Sequence, residues 1–332
     1  MINIGIIGCG GISAAHYNAI KASEDVSLLA ICDTNKERLK EAKERYNVSV
    51  AYLDHMELIS RDDIDAVIVC TPHKYHKDIV IDALNYRKHV LCEKPLTISV
   101  DDGKEMIKAA EKNKVVLQTA ENHPFEPHFQ LMQRFLKEGF LGSLYTTKFM
   151  QIWNFPSYTW RKNKEIAGGG CLIDDGIHLI TMAILLAGDV EKIFSSVDTF
   201  RQLAEGKEVD VEDNAFCILE HKSGVKSFIH ASWTSPISYF HHEAQGENGS
   251  VLYRNIGSKY EMSISGFDYD IPPLPEGISS PESYLNQLRH FVDCIKEGKK
   301  PFLDGEEGLK VVSLVLAAYE SNDLGEPVLI SN

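Results

Sequence analysis

Three groups of residues combine types and spacings that could do chemistry. The first is a glycine turn, Gly8-Cys9-Gly10-Gly11-Ile12-Ser13, followed 20 residues after Ser13 by Asp33. Such a turn lets backbone approach a pyrophosphate, and the acid can accept hydrogen bonds from ribose hydroxyls. The second is Glu93-Lys94-Pro95, at the end of the apolar run His89-Val90-Leu91-Cys92. A lysine at the carboxyl end of a parallel strand sits on the rim where open α/β sheets bind ligands. The third is Asp174 with His178, four residues apart in a stretch that is otherwise apolar nearly all round. A carboxylate and an imidazole buried on one helix face must meet each other, a polar cleft or a ligand.

Each group also has a purely structural reading. Lys-Pro after a strand is an ordinary turn, Asp33 can cap the helix starting near Asn35, and glycines punctuate many strand-to-helix turns. Asp174 can be a first-turn acid favoured by the helix dipole, and His178 a core histidine bonded to a carbonyl. The glycine turn and Asp33 together favour a dinucleotide, with Gly8 making the tight turn, Gly10 admitting the pyrophosphate, and Gly11 and Ile12 completing the loop. Ser13 stands where a third glycine is usual and must fit between helix and strand. The acid at Asp33 repels the extra phosphate of NADP, so NAD is the expected cofactor, although Lys36 and Arg38 soften that exclusion. Beside Asp174 and His178, Gly168-Gly169-Gly170 leaves room for another group to come close.

The elements that must position these residues follow from periodicity. Strands are predicted at Ile2 to Ile7, Val26 to Cys32, Ala66 to Cys70, His89 to Cys92 and Val115 to Gln118, separated by helices near 12–22, 35–46, 75–86 and 99–113. That alternation gives a parallel sheet covered on both faces. After Asn122 the texture changes to a helix near 125–138 and alternating runs such as Leu144 to Trp153, Ala215 to Glu220 and Val225 to Trp233, with an apolar helix at 171–187. The predicted division is a dinucleotide-binding domain over 1–121 and a substrate-binding, oligomer-forming α+β domain over 122–332. Ile271-Pro272-Pro273-Leu274-Pro275 reads as a stiff connector. Beyond it come an amphipathic helix through Leu285, Leu288, Phe291, Val292 and Ile295 and a final helix at about 306–321, which can pack back on the first domain.

The 332 residues, 44% of them hydrophobic, suffice for two cores, and a net charge of -14 without a basic run argues against nucleic acid or an anionic membrane. No apolar stretch is read as a membrane span or leader, so the expected compartment is the cytoplasm. The seven cysteines form no Cys-x-x-Cys pair and read as small buried apolar residues. No metal is expected, since no cluster has ligand spacing and adjacent His241 and His242 point to opposite faces of a strand.

These residues resemble the Gfo/Idh/MocA oxidoreductases along essentially the whole chain. The resemblance is carried by Gly8-Cys9-Gly10-Gly11, Asp33, Cys70-Thr71-Pro72 with His76, Glu93-Lys94-Pro95, Asn122, Trp160-Arg161, Gly168-Gly169-Gly170, Asp174 with His178, and Leu288-Arg289-His290-Phe291-Val292. Pro124 and Thr181 depart from an arginine and an aspartate common in the family. The resemblance implies an amino-terminal Rossmann domain, a carboxyl-terminal domain with an open, mostly antiparallel sheet, and a homodimer or homotetramer. It also implies NAD(P)-dependent interconversion of a secondary hydroxyl and a ketone on a sugar, cyclitol or glycoside.

On this resemblance Thr71, Pro72 and His76 line the nicotinamide side, Glu93 and Asn122 lie near the cofactor, and Lys94 contacts the reacting oxygen and the nicotinamide ribose. His178 would take the hydroxyl proton, Lys94 would stabilise negative charge on oxygen, and Asp174 would orient His178 or the substrate. Asn154, Tyr158, Trp160 and Arg161 suit a sugar, as does Trp153, for which core packing is an equal alternative. His241 or His242 can also reach the cleft. Two other functions fit the same residues: an NAD-retaining glycosidase or lyase acting through a transient keto-glycoside, and a non-enzymatic NAD-sensing regulator.

Overall fold

The computed structural model describes residues 1–257, 259–273 and 280–330; Leu274 and Pro275 of the predicted connector lie outside this set. The chain forms two compact units, Met1–Phe125 with Pro281–Lys310 and Glu126–Ser280 with Val311–Asn332.

The first unit runs β1 (Ile2–Ile7), α1 (Ser13–Lys21), β2 (Val26–Cys32), α2 (Lys36–Arg45), β3 (Val50–Tyr52), α3 (His55–Ile59), β4 (Ala66–Val69), α4 (His76–Asn85), β5 (His89–Glu93), α5 (Val100–Asn113) and β6 (Leu117–Ala120). Its six strands are parallel in the order β3-β2-β1-β4-β5-β6. Alternate residues feed two cores: Ile4, Ile6, Ile31 and Ile68 on one face, Val67, Val69, Val90 and Cys92 on the other. Both faces are dry, so the strands read as continuous apolar runs. β3 and α3 escaped the periodicity because each spans less than two turns of pattern. β6 begins two residues later than predicted, since Val90 pairs with Leu117 and Glu93 with Ala120. That register carries the strand into Gln118, Thr119 and Ala120 and brings the two strand ends level.

The second unit runs α6 (Pro127–Lys137), β7 (Leu144–Asn154), α7 (Lys164–Ala167), a π-helical turn Leu172–Gly176 leading into α8 (Ile177–Ala187), β8 (Val190–Asp198), the small hairpin β9 (Leu203–Ala204) and β10 (Lys207–Glu208), β11 (Asn214–His221), β12 (Lys226–Ser232), β13 (Thr234–Gly246), β14 (Ser250–Ile256) and β15 (Lys259–Ser265). Then follow α9 (Pro281–Glu297), α10 (Gly305–Leu324) and β16 (Val328–Leu329). The large sheet has the order β15-β14-β13-β7-β12-β11-β8-β16, antiparallel throughout except where β12 lies parallel to β7. α8 packs against β7 and β12.

The division of the chain departs from the continuous 122–332 domain expected from sequence. α9 lies in the first unit, packed along α1, and its Tyr284, Leu288, Phe291 and Val292 join the core formed by Ile4, Ile6 and Leu91. Each such apolar side chain contributes about 1.5–3 kcal/mol by leaving water. The short α1 does not cover that face of the sheet alone. α10 contributes residues to both units.

Candidate active site

In the first unit the phosphate loop is built around Gly8. Its φ is +93°, and a Cβ there would stand 2.6 Å from the Cys70 carbonyl oxygen, so only glycine satisfies both demands. Gly10 and Gly11 are different: a Cβ at either would meet nothing within 4 Å. No internal packing asks for glycine there, and bare backbone at the entry to α1 is what a pyrophosphate needs. Ile12 occupies the position before the first turn of α1. Ser13 is accommodated without strain on the helix–strand contact: its hydroxyl donates to Gly10 O at 2.6 Å and shares a hydrogen bond with Tyr46 Oη at 2.8 Å.

Asp33 ends β2 with both carboxylate oxygens engaged. Oδ2 accepts from Cys9 N–H at 2.8 Å and from the Arg38 guanidinium at 3.3 Å; Oδ1 accepts from Asn35 N–H at 2.8 Å. The cap of α2 is Asn35, whose side chain accepts from Arg38 N–H, so Asp33 does not take that role. Its acid joins the phosphate loop to the end of β2.

Lys94 is half-buried just past β5, and the Lys94–Pro95 peptide is cis. Before it, Glu93 is buried: Oε1 pairs with His16 Nε2 at 2.7 Å, and Oε2 accepts from Lys94 N–H at 3.2 Å. His16 is itself buried, edge-on to the Tyr284 ring. Glu93 thus ties α1 to the lysine. His76, expected beside the nicotinamide, is wholly buried with Nδ1 at 2.8 Å from Pro95 O and Nε2 at 2.9 Å from Thr71 O. Burial lowers its pKa against the pull of those carbonyls, so the neutral ring has one N–H and donates to one of the two, while both ring nitrogens face backbone. It holds the Thr71-Pro72 turn and the Lys94-Pro95 turn together. Thr71 Oγ1 is buried with no hydrogen-bond partner among the described residues, as a group awaiting a ligand would be. Asn122 donates to Ser283 Oγ at 3.0 Å, pinning the end of the sheet to α9.

In the second unit Asp174 is buried and its Oδ2 accepts from Arg161 Nε at 2.9 Å. The guanidinium lies 4.5 Å from the Trp160 ring, so Trp160, Arg161 and Asp174 form one stacked and charged group. His178 is buried in the first turn of α8. The expectation of one regular helix over 171–187 fails at Leu172–Gly176, which is π-helical. There Glu212 takes the helix start: its carboxylate accepts from Gly170 N–H at 2.8 Å, Leu172 N–H at 2.9 Å and Tyr319 Oη–H at 2.9 Å. A Cβ on Gly169 would strike Tyr319, and one on Gly170 would strike the Glu212 carbonyl. The groups that need those glycines are therefore the protein's own, not a ligand.

Two more of the expected sugar-binding residues hold protein partners. Asn154 is exposed and accepts from Arg201 Nη1 at 2.8 Å, while Tyr158 lies 4.8 Å below the Lys207 ammonium. Trp153 donates to Asp175 Oδ2 at 2.7 Å. Asp175 also accepts from Trp233 Nε1 at 2.6 Å and Gln151 Nε2 at 2.9 Å. His242 does not reach a cleft: it is buried against His128, with Nδ1 at 2.8 Å from His128 Nε2.

Sequence reasoning missed Asp175, Glu212 and Glu121. Asp175 carried a signal, being a second acid in an apolar run. Glu121 carried another, since it follows a strand of the parallel sheet just as Lys94 does. Glu212 carried none; only tertiary contact reveals it.

Comparison with known proteins bears on both units. The family profile described as the oxidoreductase family with an NAD-binding Rossmann fold matches residues 2–121, and that of the GFO/IDH/MocA C-terminal domain matches 129–252. A myo-inositol 2-dehydrogenase of Thermotoga maritima is 31% identical over 327 residues, covering 96% of each chain. A D-apiose dehydrogenase of Paraburkholderia graminis is 27% identical, covering 97% of this chain and 88% of its own. The fold of a levoglucosan dehydrogenase solved with NADH superposes with a TM-score of 0.89 at 24% identity, covering 100% of this chain and 99% of that one. The chain belongs to the Gfo/Idh/MocA family of NAD-binding oxidoreductases.

Proposed function

We propose that this protein is an NAD-dependent dehydrogenase of a secondary hydroxyl on a cyclitol or cyclic sugar. The observation that carries this reading is the buried polar group on an otherwise apolar helix: Asp174 with its Arg161 partner, and His178 one turn on. A helix core gains nothing from that chemistry, whereas a polyol needs charged and hydrogen-bonding groups fixed in place. The named activities of relatives, inositol and apiose dehydrogenases among them, support the substrate class.

The residues of the first unit fit the dinucleotide. The bare backbone at Gly10 and Gly11 and the α1 amino terminus would hold its pyrophosphate, Asp33 the adenosine ribose, and Thr71, Pro72, Glu93 and Asn122 the nicotinamide side. When bound, it supplies the hydride acceptor. Lys94 stabilises negative charge on the reacting oxygen, His178 takes up the hydroxyl proton, and Asp174 with Arg161, Trp160, Tyr158 and Asn154 orients the substrate. NAD is preferred because the Asp33 carboxylate opposes a ribose phosphate; Asp33 is the group to replace if NADP is to bind, with Arg38, half-exposed beside it, kept to meet the phosphate.

The same reading places the enzyme in the cytoplasm as a homodimer or homotetramer. The stretch Lys164–Ala187 is long and apolar enough to cross a membrane, but 94% of its most apolar 18-residue window is buried inside the protein.

The test is a panel of cyclitols, aldoses and glycosides incubated with NAD or NADP, read by absorbance of the reduced nicotinamide. Accumulation of NADH with a cyclitol or sugar, faster than NADPH, is the expected result. No turnover with any polyol overturns the dehydrogenase reading, and aglycone release without net NADH replaces it with the redox glycosidase.

A further inference from the structure

One buried acid at the cofactor rim has no part in the chemistry above. Glu121 follows β6 as Lys94 follows the Glu93 end of β5, and Glu93 and Ala120 are register partners in that parallel pair. Lys94 and Glu121 are thus the residues that directly follow this last register pair, at the ends of strands whose backbones run about 4.8 Å apart. Glu121 is 2% exposed, and its Oε1 accepts from His123 N–H at 3.1 Å. Burial raises its pKa, and the charges that favour ionisation are His123 and Lys94. In the same unit, Glu93 is paired with His16, burial lowers the His76 pKa, and burial keeps the Cys70 and Cys92 thiols protonated.

We propose that the Glu121 carboxylate is a counter-charge of Lys94, making Glu121 a positioning residue that holds the lysine protonated at the sheet rim. An ammonium taken partly out of water loses its charge unless an anion is close. Glu93 supplies one anion already shared with His16; Glu121 supplies a second from the neighbouring strand. The consequence is that the charge Lys94 offers a reacting oxygen is set by a residue that need not touch substrate. This rests on the reading of Lys94 as the group at that oxygen, but the charge state itself is measurable without turnover.

Glu121→Gln keeps the shape and removes the charge. Reductive methylation with labelled formaldehyde puts a reporter on every lysine, and Lys94→Arg identifies the Lys94 signal. The Lys94 titration midpoint is expected to fall in Glu121→Gln by about one pH unit or more, as loss of a close opposite charge requires. With substrate in hand, the alkaline limb of the kcat/KM profile moves down by the same amount while NAD affinity is unchanged. An unmoved Lys94 midpoint overturns the proposal, whatever the enzyme turns over. A moved midpoint with no polyol oxidised upholds the proposal and sinks only the dehydrogenase reading. Should Glu121→Gln fail to fold, the converse variant Lys94→Met decides: Glu121 is expected to take up a proton, seen as a new protonated-carboxyl band in the infrared. Absence of that band overturns the proposal.

Discussion

A buried carboxylate persists only where donors replace its water, and those of Asp175 include the indole N–H groups of Trp153 and Trp233 and the Gln151 amide. Asp175→Ala leaves these donors unmatched, those of Trp233 and Gln151 buried, with an expected loss of about 3–5 kcal/mol in denaturant unfolding followed by tryptophan fluorescence. A loss below 1 kcal/mol would show that water takes its place. Lys94 and His178 belong to a different class, since their proposed work is in the transition state. Lys94→Ala and His178→Ala are each expected to lower turnover at least about a hundredfold with NAD still bound. Near wild-type kcat in either removes that residue from the mechanism. Both residues were legible from type and position. Asp174 was legible as a buried acid, but its partner Arg161 could not be named from spacing, because the two lie on different elements.

At the scale of elements, α6 meets β13 through an unusual contact. His128 and His242 share a hydrogen bond, His128 stacks on Tyr253 with centroids 3.9 Å apart, and Nε2 of His242 has no hydrogen-bond partner among the described residues. Burial, with His128 and His241 adding to it, pushes the His242 pKa well below 6.5. A folded-state pKa below the unfolded one means the unfolded chain binds the extra proton, so stability rises with pH across the interval. The contribution is complete above about pH 6.5 and is lost as the pH falls toward the folded value. His230, lowered to about 4 by burial, acts in the same direction. Urea midpoints measured from pH 8 down to 4 are expected to fall below about pH 6.5, and His242→Phe to flatten that fall. An unchanged slope in the variant would mean the pair contributes nothing to acid sensitivity. Periodicity showed α6 and alternating strands; it could not show that one histidine of an adjacent pair is sealed under a helix.

At the scale of the whole molecule, the large sheet buries Ala215, Cys217 and Leu219 on one face and leaves Phe216, Ile218 and Phe194 exposed on the other. Ile218 lies beside Phe194 and Phe228 in register, and Phe216 stacks on His230, so the exposed side chains form one apolar patch. Such a patch marks an association surface. With the homo-oligomer that the family resemblance implies, this face is the expected contact. The double variant Phe216→Glu and Ile218→Lys is expected to elute as a monomer in light-scattering chromatography where the wild type does not. A wild-type monomer, or an unaltered oligomer in the variant, rejects this face.

The sequence by itself determined the parallel sheet, the glycine turn with Asp33, the lysine at the strand rim and the acid and histidine on an apolar helix. Each is local: a period of two or of 3.6, a turn residue, or a charge inside an apolar run is written within a dozen residues. Tertiary structure decided what those groups meet. It returned α9 to the first unit because an exposed sheet face needed cover, and gave the glycines at 169 and 170 to Tyr319 and Glu212. It also set both ring nitrogens of His76 against backbone carbonyls, and brought level the strand ends that precede Lys94 and Glu121. Register, burial and carboxylate partners join residues tens to hundreds of positions apart, and no local pattern encodes which of the compatible partners a buried group will find.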